Sequence, residues 1–137
     1  MTSDDRVNLS RRHLILSVLS GLAAVATLQG CGSPFNSSQI ASRLSQTIGD
    51  QVAAKRFGVS YLRDNPDEAG IEQLVERIDT GLLAEFGQGM NIDDPQLLAK
   101  HMDQLVRNEY RRCEAIRVDG WILSRSEARL YALVALL

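Results

Sequence analysis

The sequence has few of the residue types that carry chemistry. Its 137 residues include two cysteines, two histidines, one tryptophan and three prolines. Two cysteines leave little scope for a disulfide framework, and neither an H-E-x-x-H nor a C-x-x-C motif is present. No apolar run reaches the roughly 20 residues that a transmembrane helix needs. The net charge of −2 gives no basis for nucleic-acid binding, which requires a basic surface.

The first thirty residues follow the order of a secretory signal peptide. A polar segment ends at Arg11 and Arg12, and a mostly apolar segment runs from Leu14 to Leu28. That segment is too short for a stable span of the bilayer and suits a signal that is cleaved. We therefore divide the chain into a signal peptide (1–30), a tether (31–38) and a single helical domain (39–137).

Ser10, Arg11, Arg12 and the apolar pair Leu14 and Ile15 resemble the twin-arginine (Tat) export signature. The resemblance implies that the Tat translocase of a bacterial cell exports the chain. The alternative is an ordinary Sec signal peptide with a chance pair of arginines.

The segment Leu28-Gln29-Gly30-Cys31 resembles a bacterial lipobox. The resemblance implies that lipoprotein-processing enzymes attach lipid to Cys31, cleave after Gly30 and acylate the new amine. Two or more acyl chains would then anchor the protein firmly to a membrane. Gly32 follows the cysteine. In the sorting rule of this family, an Asp at this position keeps a lipoprotein from reaching the outer membrane. The resemblance therefore favours the outer membrane of a Gram-negative cell, on its periplasmic side. The alternative is that Cys31 is a buried free cysteine.

The rest of the chain predicts an all-α fold, a small bundle of four or five helices. Ile40, Leu44, Ile48 and Val52 recur every four residues and predict one helix over 38–56 that ends near Gly58.

Two Asx-Pro pairs predict helix starts. Asn65 and Pro66 would begin a helix in which Glu68 reaches back to the cap, with an apolar stripe of Ile71, Leu74, Val75, Ile78 and Leu82. Asp94 and Pro95 repeat this device before a helix of about 18 residues. Its predicted apolar face comprises Leu97, Leu98, Met102, Leu105, Val106 and Tyr110.

The C-terminal segment begins with a capping box formed by Ser124 and Glu127. The helix that follows is apolar over most of its circumference, so it must lie in a core or against another protein. Asp119 and Gly120 favour a type I′ turn, so residues 116–123 form either a small β-hairpin or an ordered loop.

We predict no catalytic residues, no metal site and no cofactor. His101 is interpreted as a residue of the helix surface and Cys113 as an inert buried thiol. Glu72 and Glu76 lie one turn apart, but a di-metal site would also need Glu-x-x-His motifs on facing helices.

The segment 119–130 is the most distinctive part of the domain. It contains Gly120, Trp121, Ser124 and Glu127, which we predict to form a structural motif or a partner site. Trp121 is interpreted as a core anchor, with an interface anchor as the alternative. Together with residues 58–68, this segment resembles small Tat-exported bacterial helical proteins, a group that implies no particular activity.

These observations predict a non-catalytic accessory lipoprotein that binds a protein partner in the cell envelope. In size and layout the chain is similar to small Tat-signalled subunits that escort redox enzymes, such as flavin-dependent dehydrogenases, although those subunits do not usually carry a lipobox. The alternative is a free-standing envelope module that binds a small apolar ligand or lipid.

Overall fold

The computed structural model describes residues 36–88 and 90–137, and this part of the chain forms a helical bundle with one β-hairpin. Its helices are α1 (Ser37–Ser45), α2 (Gln51–Asp64), α3 (Ile71–Phe86), α4 (Pro95–Arg111) and α5 (Arg125–Leu136). A short 3-10 helix (Pro66–Glu68) precedes α3, and strands β1 (Ala115–Val118) and β2 (Trp121–Ser124) separate α4 from α5. The predicted all-α bundle is confirmed. None of the helices described is long and apolar enough to span a membrane.

The single helix predicted over 38–56 is wrong, because the structure has two helices there. The chain leaves α1 at Ser45, and the side chain of Gln51 donates to the Ser45 carbonyl at 2.7 Å. Asp50 then caps α2 by accepting a hydrogen bond from the Ala53 amide at 3.0 Å. Val52, predicted on the apolar face, is 85% exposed. The first helix also begins at Ser37, so residues 37 and 38 belong to it and not to the tether.

Gly58 does not end a helix but lies buried within α2, where it faces α5. A Cβ atom built on Gly58 would lie 2.0 Å from the carbonyl oxygen of Tyr131. The missing side chain therefore lets the two helix backbones meet, and α2 and α5 have the most extensive contact in the bundle.

The helix predicted to start at Asn65 and Pro66 starts later. Pro66 begins the 3-10 helix instead, and α3 begins after Gly70. Asn65 forms no side-chain cap, and Glu68 does not reach back to it. Glu68 binds Arg129 of α5, which donates from Nε and Nη2 at 2.8 and 2.7 Å. The expected local cap is thus replaced by a contact across 61 residues of chain.

Helix α4 begins as predicted. The Asp94 side chain accepts hydrogen bonds from the amides of Gln96 and Leu97, and Pro95 occupies the first turn. The buried apolar residues of α4 are Leu98, Met102 and Leu105, whereas Tyr110 is 41% exposed.

Of the two alternatives for residues 116–123, the structure has the β-hairpin. β1 and β2 are antiparallel, with Val118 opposite Trp121 and Ile116 opposite Leu123. Asp119 and Gly120 have φ values of 50° and 84°, the positive values that a type I′ turn requires.

Helix α5 is the centre of the core, as its apolar character predicted. It packs against the four other described helices and both strands. Its buried residues are Ser126, Ala128, Leu130, Ala132, Leu133 and Val134. Four of these residues, Ala128, Leu130, Ala132 and Leu133, share one core cluster with Leu74, Val75, Ile78 and Leu82 from the predicted stripe of α3.

Candidate binding groove and aromatic surface

The predicted motif residues lie together where the hairpin joins α5. The Ser124 hydroxyl accepts a hydrogen bond from the Glu127 amide at 3.1 Å, and the Glu127 carboxylate accepts one from the Ser124 amide at 3.3 Å. This capping box is confirmed. Gly120 forms the turn of the hairpin, so three of the four motif residues have structural roles.

Trp121 is not a core anchor. Trp121 is 65% exposed at the turn end of the hairpin. Its ring lies 6.1 Å from that of Phe57 at an interplanar angle of 71°, an edge-to-face contact with α2. Arg56 and Asp119 form an ion pair at 3.5 Å beside this contact. The hairpin therefore holds the indole against α2 but leaves most of it accessible.

The signal and lipid residues Arg11, Arg12 and Cys31 lie outside the described residues. Their proposed roles rest on the sequence.

Glu127 has a second role that the sequence did not reveal. Its carboxylate accepts a hydrogen bond from the Tyr110 hydroxyl at 2.8 Å and another from the Tyr131 hydroxyl at 2.9 Å. Burial, followed by the hydrogen bond to Glu127, raises the pKa of Tyr110 to about 12 and also raises the pKa of Tyr131. Both phenols therefore stay protonated and continue to donate at neutral pH. Tyr131 could have been found from its spacing, because it lies four residues after Glu127 on α5.

A groove opens above this cluster, between α2 and α4, with α5 as its floor. We call it the α2–α4 groove; its volume is about 350 Å³. Helix α5 contributes Glu127, Leu130 and Tyr131 to it. The other lining residues are Thr47, Ile48, Gly49, Asp50, Ala53, Ala54, Phe57, Ala99, Met102, Asp103 and Val106.

Phe57 connects the groove to the exposed Trp121. The ring of Phe57 stacks on that of Tyr131 at 6.1 Å and 28°, and the same ring forms the edge-to-face contact with Trp121. The groove and the exposed indole therefore share one aromatic wall.

A second polar cluster holds the start of α5 on α4. Glu109 is buried, and its carboxylate accepts from the amide of Ser126 at 2.8 Å and from its hydroxyl at 2.7 Å. The Arg125 amide donates to the Glu114 carbonyl at 3.2 Å. The Glu127 amide is already bonded to Ser124, so the first three amides of α5 all have acceptors. This cluster is structural, since it satisfies the free donors of a helix start.

His101 and Cys113, the two residues with catalytic potential, lie apart from each other in the fold. His101 is half-buried rather than on the surface: its ring packs on Phe86 at 4.5 Å, and its Nδ1 atom is buried without a hydrogen-bond partner in the described part. Cys113 is exposed, not buried as predicted, because it follows the end of α4 with a φ of 59°. His101 lies ten residues before that end, or about 15 Å along the helix. Within residues 36–88 and 90–137, no group of His, Cys, Asp and Glu is arranged to hold a metal.

Comparison of the chain with protein families, with curated proteins and with solved structures finds no match.

Proposed function

We propose that this chain is a non-catalytic accessory lipoprotein of the bacterial cell envelope. Lipid on Cys31 anchors it to a membrane on the periplasmic side. The helical domain binds a periplasmic protein. We expect this partner to be an enzyme, and a redox enzyme is the first candidate. The protein then serves as the escort, anchor or small subunit of that enzyme.

The exposure of Trp121 is the observation that carries the partner-binding part of this proposal. Tryptophan is the residue type most strongly enriched among the side chains that dominate protein interfaces. At 65% exposed, Trp121 gains little from folding of its own chain. Burial of the indole by a partner would supply an apolar anchor of the kind that lies at the centre of an interface.

The apolar character of α5 no longer supports a partner by itself. Its apolar side chains are buried by the other helices, and only the last residues, Leu136 and Leu137, are exposed at 38% and 54%. We therefore expect the partner to bind at the hairpin and the adjoining face of α2, and not at the C-terminal helix.

Mild crosslinking in cells, followed by purification from membranes, tests this function. We expect one protein to be recovered in stoichiometric amount with the wild type and lost with Trp121→Ala. Leu83→Ala is the matched control, because Leu83 is a 38% exposed apolar residue of α3. Recovery of the chain alone in the wild type, or equal recovery of the partner in all three samples, would contradict the proposal.

A second candidate function is a free-standing envelope module for a small apolar ligand or lipid, and the α2–α4 groove favours it. Its volume of about 350 Å³ lies in the range of small-molecule sites, about 300–1,000 Å³. Native mass spectrometry of the protein extracted from membranes tests this function. A bound small molecule in the spectrum would support it, and its loss from Ala99→Trp, which places a large ring at a half-buried position of the groove lining, would locate the site.

A further inference from the structure

Among the residues that the structure describes, the charges that line the α2–α4 groove are all negative. Its acidic residues are Asp50, Asp103 and Glu127, and none of the described lining residues is a lysine, arginine or histidine. A groove with this lining attracts cations and repels anions, because three of its lining residues carry carboxylates.

The three charges are only weakly compensated by the protein. The hydrogen bonds to Glu127 come from two phenols and a backbone amide, which are neutral donors and leave its charge in place. Asp50 caps α2 through one oxygen and forms no ion pair in the described part of the chain. Asp103 pairs with Arg107 at 2.9 Å, but both side chains are more than half exposed, and such surface pairs are weak. The negative potential reaches the floor, where the charge of Asp50 adds to the effects of burial and Glu127 that raise the pKa of Tyr131.

The walls between these charges are apolar and aromatic. Phe57 and Tyr131 present a stacked pair, and Met102, Val106 and Leu130 complete the surface. An aromatic face also attracts a cation through its ring quadrupole, and it packs well against hydrocarbon.

We propose that the α2–α4 groove binds a small amphipathic organic cation. The apolar body of the ligand lies on Phe57, Val106 and Leu130, and its ammonium group lies between the carboxylates of Asp50 and Asp103 at the rim. This inference rests on the second candidate function and adds the charge of the ligand to it.

Three probes of nearly equal size test the proposal: 4-phenylbutylamine, 4-phenylbutanol and 4-phenylbutyrate. Each is titrated into the full-length chain and followed by the emission of Trp121, the only tryptophan, which contacts Phe57 at the end of the groove. Chemical-shift changes in the NMR spectrum of the labelled protein map the site. We expect the amine to bind about tenfold more tightly than the alcohol, and the carboxylate to bind least.

The variant Asp50→Asn/Asp103→Asn removes both rim charges while asparagine still caps α2. We expect it to weaken binding of the amine about tenfold and to leave binding of the alcohol unchanged. The control Asp67→Asn/Glu72→Gln removes two exposed charges outside the groove and should bind like the wild type.

The outcomes separate this inference from the function on which it rests. The cation preference is wrong if the alcohol or the carboxylate binds as tightly as the amine. It is also wrong if the control variant loses as much affinity as the rim variant. In both cases the second candidate function still stands, without a preference for cations. If none of the three probes shifts the resonances of groove residues, both the inference and the second candidate function fail. The partner-binding function is untouched by either result.

Discussion

Replacement of Gly58 by alanine tests the closest contact in the bundle. The new Cβ would lie 2.0 Å from the Tyr131 carbonyl oxygen, 2.6 Å from the Tyr131 carbonyl carbon and 2.9 Å from the Cβ of Ala135. Two of these atoms belong to a helix backbone and cannot rotate away. Helices α2 and α5 would therefore have to separate by about an ångström along their main contact.

The expected cost follows from two opposing effects. Overpacking of a core costs about 1–3 kcal/mol, and the rigid backbone here places Gly58→Ala at the upper end of that range. Alanine recovers about 1 kcal/mol of helix propensity relative to glycine. The net loss of unfolding free energy is then about 2 kcal/mol, which corresponds to a fall in Tm on the order of 10 °C for a domain of this size.

Urea unfolding followed by far-UV circular dichroism measures this loss, and Gly81→Ala provides the matched control. Gly81 also lies within a helix, but its added Cβ would meet the nearest atom, Leu105 Cδ2, at 3.4 Å, an ordinary contact. We expect Gly81→Ala to stabilise the protein by up to about 1 kcal/mol. A Gly58→Ala protein as stable as the wild type, or equal losses in both variants, would refute the packing of α2 on α5.

Three further predictions concern polar and strained residues. The hydrogen bonds from Arg129 lower the pKa of Glu68 from 4.5 to about 2. The stability contributed by this carboxylate is therefore present above pH 4.5 and is lost as the pH falls toward 2. Urea unfolding across this range should show the loss, and the free energy of unfolding of Glu68→Gln should change less with pH. Glu109→Ala is expected to cost about 2–3 kcal/mol in urea unfolding, because the buried Ser126 amide loses its acceptor. Cys113→Gly is expected to raise the free energy of unfolding by up to about 1 kcal/mol, since its φ of 59° suits glycine better than cysteine.

Each of these predictions has a control and a contrary result. Glu72→Gln removes an exposed carboxylate and should leave the acid limb of the stability curve as in the wild type. Glu76→Ala should cost less than about 0.5 kcal/mol, because surface substitutions rarely cost more. Cys113→Ser keeps the strained φ, so equal stabilities of the serine and glycine variants would contradict the strain argument. An unchanged stability of Glu109→Ala would show that the Ser126 amide finds another acceptor.

The features predicted correctly from the sequence are those set by neighbouring residues. The capping box of Ser124 and Glu127, the helix start at Asp94 and the turn at Gly120 each depend on contacts within a few positions. The buried stripe of α3 also followed from its periodicity, since one face of that helix meets the core along its length.

The features predicted wrongly depend on distant parts of the chain. Gly58 looks like a helix end by itself, and only the approach of α5 explains why it lies inside α2. Glu68 looks like a local cap, but Arg129 offers two hydrogen bonds from 61 residues away. Trp121 is a residue type that is commonly buried in a core, but it is 65% exposed, and its aromatic contact is with Phe57, 64 residues earlier in the chain. The α2–α4 groove is likewise built from three separate helices, so no single stretch of sequence predicts it.

The proposed function depends on lipid at Cys31, and intact mass spectrometry of the protein purified from its native cells shows whether that lipid is present. We expect a mature chain that begins at Cys31, with the added mass of a diacylglyceryl group and an amide-linked acyl chain. A protein that still carries Met1, or one that lacks residues 1–30 but bears no acyl group, would contradict it.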